Sequence, residues 1–196
     1  MLLAFFISGS VLTQLATGRG GRRNARQVIA NGGTAALAAL CGSWTAAAGA
    51  LAAAAADTWA TEFGSFSPTP PRLITSWSRV TRGTSGGVTA LGTAGGLAGA
   101  FAMASLGHLL PPGGTAPGVT TLALAGIAGM FTDSLLGATA QSLYECPACA
   151  ARSERGDALC HEPVRLIRGW RWLDNDGVNL AATVAGAGIG LLGTRL

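Results

Sequence analysis

The chain has no lysine and little charge of either sign. Its 13 arginines and nine acidic residues make up 11% of 196 residues, where a soluble domain carries about a quarter. That excludes a water-soluble globule, because too few polar side chains remain to cover one. Cysteine is scarce as well. Cys41 lies in an apolar run and Cys146, Cys149 and Cys160 fall in one polar loop, so a disulfide framework is excluded. With two histidines, His108 and His161, nothing forms a Ser-His-Asp arrangement. Nothing points to nucleic acid.

Apolar and small residues are abundant: 49% hydrophobic, with 30 glycines. The glycines have no collagen period and sit with alanine inside the apolar runs. Small residues there let transmembrane helices approach closely. The composition predicts an all-α, polytopic integral membrane protein with little mass outside the bilayer. Six segments approach the length of a span: 1–17, 27–41, 44–63, 84–107, 119–143 and 178–192. A range of five to seven is allowed, because the second is short.

Arginine position tests that count. If the N-terminus is outside, the loops at 18–26, 64–83 and 144–174 share one side. They carry four, three and five arginines, twelve of the thirteen. The connections at 42–43 and 108–117 carry none. This asymmetry makes the three basic loops cytoplasmic. The reading is one transmembrane domain over 1–196, in the cell membrane.

Against this background the polar residues within the spans stand out. Asp57 closes an alanine run and Glu62 follows it, about 140° away around a helix. An ionisable group inside a span costs about 2.5–3.5 kcal/mol on insertion scales, so its default reading is functional. Asp133, Gly137 and Gln141 are spaced i, i+4, i+8, which gives one polar face with a glycine gap. Asn175, Asp176, Asn179 and Thr183 form a similar stripe. All three aspartates fall toward the cytoplasmic leaflet. For the Asn and Thr residues, interhelical hydrogen bonding accounts for them equally well.

Arg82-Gly83-Thr84-Ser85-Gly86-Gly87 opens the fourth segment. A Gly-rich turn at a helix N-terminus offers backbone N–H groups to phosphate, and Arg72, Arg79 and Arg82 stand beside it. Carboxylates next to phosphate-binding groups suggest an Mg²⁺–phosphate site. Here Asp57, Asp133 and Asp176 would hold the metal with Glu62 assisting. Arg72, Arg79, Arg82, Thr84, Ser85, Gly86 and Asn179 would hold phosphate. Cys146 and Cys149, spaced C-x₂-C, with Cys160 and His161 supply ligand types suited to Zn²⁺, against reduced thiols in a cytoplasmic loop.

Five motifs in order carry a resemblance: Arg26-Gln27-Val28-Ile29-Ala30-Asn31-Gly32-Gly33, Ala56-Asp57-Thr58-Trp59-Ala60-Thr61-Glu62, Gly83-Thr84-Ser85-Gly86-Gly87, Asp133-Ser134-Leu135-Leu136-Gly137-Ala138 and Trp172-Leu173-Asp174-Asn175-Asp176-Gly177-Val178-Asn179. They resemble the integral membrane domain-of-unknown-function family that contains the plant and cyanobacterial phytyl-phosphate kinase and a human transmembrane protein. The resemblance runs from about residue 5 to the C-terminus. It implies transfer of a phosphoryl group from a nucleoside triphosphate, CTP, to an isoprenoid monophosphate of the phytyl or geranylgeranyl type, with Mg²⁺. Members usually carry one or two further hydrophobic segments ahead of this chain's start, and His161 stands where they have Gly. The residues also admit another CTP-dependent lipid enzyme, a lipid alcohol kinase or a cytidylyltransferase, and a non-enzymatic lipid-phosphate transporter. A homodimer is compatible with so many small residues, but no single interface motif stands out.

Overall fold

The computed structural model of the chain describes residues 1–17, 24–113, 117–155 and 163–193. Its body is six helices: α1 (Leu2–Thr17), α2 (Ala25–Leu40), α3 (Trp44–Ser65), α4 (Ala90–Leu109), α5 (Val119–Thr139) and α6 (Asn175–Leu192). One helix answers to each apolar segment. Of these, α4 and α5 are long and apolar enough to cross a membrane. Helices α1 and α2 have 16 residues each, about 24 Å at 1.5 Å per residue.

The alanine run makes α3 the centre. Ala46 through Ala56 are all buried, and α3 packs against each of the other five helices. Alanine has no rotamer freedom to lose and admits a neighbouring backbone closely. One close crossing is with α6, where a Cβ placed on Gly49 would lie 2.4 Å from the Gly186 carbonyl oxygen. Thr183 on α6 meets Thr34 on α2 at 2.9 Å and donates to the Ala30 carbonyl at 3.3 Å. Its polar stripe is thus spent partly on holding helices together.

Side chains set the helix starts. Asn24 and Gln27 form a reciprocal capping box on α2, Thr89 caps α4 and Asp174 caps α6 through the Gly177 N–H. Each satisfies an orphan N–H, worth about 1 kcal/mol.

Three expectations change here. First, the chain is not purely helical. β1 (Arg72–Leu73) pairs with β2 (Gly87–Val88), while β3 (Leu143–Glu145), β4 (Arg152–Ser153) and β5 (Arg165–Arg168) form an antiparallel sheet in the order β4-β3-β5. Residues 165–168 alternate between exposed and half-buried, a period of two too brief to register against longer helical patterns. Second, α4 starts at Ala90, not at Thr84. Gly83 and Gly86 take φ of +82° and +78°, a left-handed conformation that glycine adopts freely and a helix cannot use. Third, α5 ends at Thr139, so Gln141 lies beyond it, its N–H on the Leu136 carbonyl at 2.9 Å.

Candidate functional site

The start of α2 and described residues of the loops at 64–89 and 140–174 meet at one end of the bundle, around a cavity of about 710 Å³. Its polar lining includes Asp57 from α3 and Asp133 from α5, whose carboxyl groups lie within hydrogen-bonding reach of each other. Asp133 Oδ2 is buried with no hydrogen-bond partner. Leaving a buried acceptor unmet costs about 1–3 kcal/mol, more for a charged group; Gln141 Nε2, from the same cavity lining, is buried and unmatched as well. Alanines and glycines around them keep α3 and α5 close: a Cβ on Gly129 would lie 2.2 Å from that of Ala53.

The cavity walls come from every basic loop. Arg26, Arg82 and Arg155 line it, with Thr84, Ser85, Gly86 and Asp176. Arg26 bridges two carboxylates at the start of α6, Asp174 at 2.7 Å and Asp176 at 3.5 Å. This tie fastens the N-termini of α2 and α6 together at the rim. Arg82 donates to the carbonyls of Ser65 and Ser67, finishing the open C-terminal end of α3.

The glycine gap at Gly137 has a definite occupant. The turn at 83–87 seats there: a Cβ on Gly137 would come 3.0 Å from the Gly86 nitrogen, and one on Gly86 would collide with Ala138 at 2.5 Å. The turn is not a free helix N-terminus. Its Thr84 and Gly87 N–H groups already bond to the Thr81 and Thr84 carbonyls at 3.2 and 3.0 Å. Thr84 and Ser85 line the cavity, the Ser85 hydroxyl already donated to Glu154.

Glu154, just past β4, secures the turn from outside by accepting from the Ser85 hydroxyl. Burial pushes the Glu154 carboxyl up, partly offset by Arg168, Gln141 and Arg155. Burial likewise lowers Arg168, against the pull of Glu154. Arg168 donates to the Gly137 carbonyl at 2.8 Å. The small sheet is therefore a brace for the end of α5 and the turn resting on it.

The structure thus gathers Asp57, Asp133, Asp176, Arg82, Thr84, Ser85 and Gly86 around one space. It does not gather the others. Glu62 accepts from Thr13 on α1, consistent with the 140° that separates it from Asp57. Arg72 donates to the Trp77 carbonyl at 2.7 Å and bridges Arg79 within their hairpin; neither lines the cavity. Asn179 is buried in the bundle. Asp176 reaches the cavity but is turned to Arg26, and among the described residues no three His, Cys, Asp or Glu side chains converge as a metal cluster. Cys146 and Cys149 flank the β3–β4 turn, buried and exposed respectively, while Cys160 and His161 lie outside the described residues.

Sequence alone does not single out Arg26, Arg155, Glu154 or Asp174 as site residues. In the sequence Arg155 reads as a topology signal, and Arg26 as that and as the start of a family motif. Glu154 carries no distinguishing sign, being one of five acidic residues among the five arginines of the loop at 144–174.

Comparisons with known proteins agree with this membrane architecture. The uncharacterized membrane protein MJ0933 of Methanocaldococcus jannaschii is 32% identical over 205 residues, covering 98% of this chain and 74% of that protein. Protein PGR of Arabidopsis thaliana is 32% identical over 227 residues, covering 93% and 76%. No solved structure matches the chain. The family model described as integral membrane protein DUF92 matches residues 1–187, and the chain belongs to that family.

Proposed function

We propose that this protein is a membrane-embedded kinase that transfers the terminal phosphoryl group of a nucleoside triphosphate, CTP, to an isoprenoid monophosphate, giving the diphosphate. The observation that carries the reading is the Asp57–Asp133 pair with its unmatched buried oxygen, set beneath a wall of arginines in one cavity. In this reading all six helices lie in the bilayer, packed through their Gly/Ala faces, and the cavity opens to the cytoplasm.

Two carboxylates and no thiol or imidazole make a hard-oxygen donor set, which fits Mg²⁺; that ion typically takes one or two carboxylates and completes its shell with water and substrate phosphates. Asp57 and Asp133 would hold it, and when bound it would neutralise charge on the transferring phosphoryl group. Asp176 acts at one remove, by orienting Arg26. Arg26 and Arg155 bind phosphate oxygens, and Thr84 donates a hydroxyl hydrogen bond. An acceptor phosphate oxygen attacks the terminal phosphorus, the bond to the bridging oxygen breaks, and the nucleoside diphosphate leaves. The acceptor is already an anion, so no general base is required.

The test is purified protein with geranylgeranyl monophosphate, CTP and Mg²⁺, with products identified by mass. Diphosphate is expected, and Asp57→Asn or Asp133→Asn should each reduce its formation about 100-fold or more. Diphosphate formation that survives both substitutions overturns the site. A CMP–lipid or a monophosphate made from the free alcohol replaces this activity with cytidylyl transfer or alcohol phosphorylation. Uptake into proteoliposomes without nucleotide turnover replaces it with transport.

A further inference from the structure

The cavity is not closed on all sides. On α5 its lining wraps from Asp133, inside the bundle, through Met130 and Ser134 to Phe131. Phe131 is 38% exposed and Leu124 and Leu135 are exposed with it. Spacings of seven and four residues put these three on one stripe of the helix, the outward apolar face of a segment long and apolar enough to cross a membrane. Thr89, at the N-cap of α4, and Gly92 and Thr93 within that helix line the same cavity. The chamber that holds the carboxylates therefore reaches the outer surface of the bundle between α4 and α5.

This opening has a floor and a ceiling. Below, Met130 fills the gap between the helices: a Cβ on Gly96 would lie 2.2 Å from its sulfur. Above, the turn at Gly86 closes on Ala138. From residue 130 to residue 138 the rise is about 12 Å. That height admits an extended hydrocarbon chain, and the acceptor of the proposed reaction carries just one.

We propose that the opening between α4 and α5 is where the apolar chain of a single-chain phosphate amphiphile passes from the cavity into the bilayer, with Thr93, Met130, Phe131 and Ser134 as its lining. The phosphate head reaches the arginines of the cavity while the chain runs over Met130 and Phe131 between the Thr93 and Ser134 side chains. The inference rests on reading the cavity as a phosphate site. It adds where the chain lies, which neither the carboxylates nor the arginines specify.

A prenyl monophosphate bearing a diazirine on its chain, irradiated with the full-length protein in nanodiscs and mapped by peptide mass spectrometry, tests this directly. Label is expected on residues 89–93 of α4 and 130–135 of α5. Decyl phosphate should compete and inorganic phosphate should not, and the double variant Thr93→Leu, Ser134→Leu should lower labelling about tenfold. Label concentrated on α1, α2 or α6 overturns the proposal, as does better competition by two-chain phosphatidic acid than by decyl phosphate. The wild-type map decides even if the double variant fails to fold. Diphosphate formation with label elsewhere removes the opening and leaves the kinase; label at the opening with no turnover of any nucleotide does the reverse.

Discussion

Arg26 and Arg168 sit at the same end of the bundle and do different work. The Arg26 side chain is 71% exposed, so its pairs with Asp174 and Asp176 contribute only about 0–1 kcal/mol to stability. Their value is positional, since they aim a guanidinium across the cavity rim. Arg168 points inward to the Gly137 carbonyl beside Glu154, and the surrounding protein makes both charges harder to hold. The raised Glu154 carboxyl carries a pH consequence. A carboxyl whose folded pKa lies above its unfolded one binds a proton more readily in the folded protein. Its contribution therefore favours folding as pH falls from neutrality toward the ordinary glutamate range, and opposes it as pH rises. Thermal melts of detergent-solubilised protein should show this slope in the wild type, and Glu154→Gln should flatten it. An unchanged slope in the variant would place the titration elsewhere.

Between elements, contact is set by what is missing from side chains. Helices α3 and α6 cross where Gly49 and Gly186 face each other, and α5 meets the 83–87 turn where Gly137 faces Gly86. These two contacts differ in how they would fail. Gly49→Leu puts a side chain into the Gly186 backbone at the centre of the bundle, so the helices must separate. A cost of about 1–3 kcal/mol or more is expected, read as a lower melting temperature with all helices still present by circular dichroism. Gly86→Ala combines a collision with Ala138 and a left-handed φ. Its effect should be local: the turn lifts from α5, Ser85 loses Glu154, and nucleotide affinity falls while the melting temperature drops far less than in Gly49→Leu. A larger drop for Gly86→Ala than for Gly49→Leu would contradict this division.

Across the whole molecule, the ends of the bundle are unlike. One carries arginines, the cavity and the small sheets, with Trp77, Trp170 and Trp172 exposed around them and the last two stacked at 5.3 Å. Exposed tryptophans at helix ends suit a membrane–water interface. The other end has the short α2–α3 turn and the α4–α5 connection. If the helices span the bilayer with the cavity cytoplasmic, cysteines introduced at Ser76 and at Gly113 in a background lacking native cysteine must react from opposite sides. An impermeant maleimide should label the Ser76→Cys site only in inside-out vesicles and the Gly113→Cys site only in right-side-out ones. Labelling of both from one side would sink the topology.

Much of this is legible in the chain before folding, and the reason is solvent. Runs of alanine, glycine and leucine declare helices because a lipid-facing backbone must satisfy its own hydrogen bonds. The apolar runs alone mark six segments, and six helices among the described residues answer to them. Asp57 and Asp133 are visible too, since a carboxylate in an apolar run is too costly to keep without a use. Partnership is not visible. Whether Asp57 faces Asp133 while Glu62 turns to Thr13 depends on helix rotation, and an almost uniform alanine surface leaves rotation unspecified. Nor can spacing reveal that Gly137 receives Gly86, that Asp176 is engaged by Arg26, or that Glu154 arrives from a distant sheet. Those contacts join segments tens of residues apart, and only close packing of the bundle brings them within a hydrogen bond of each other.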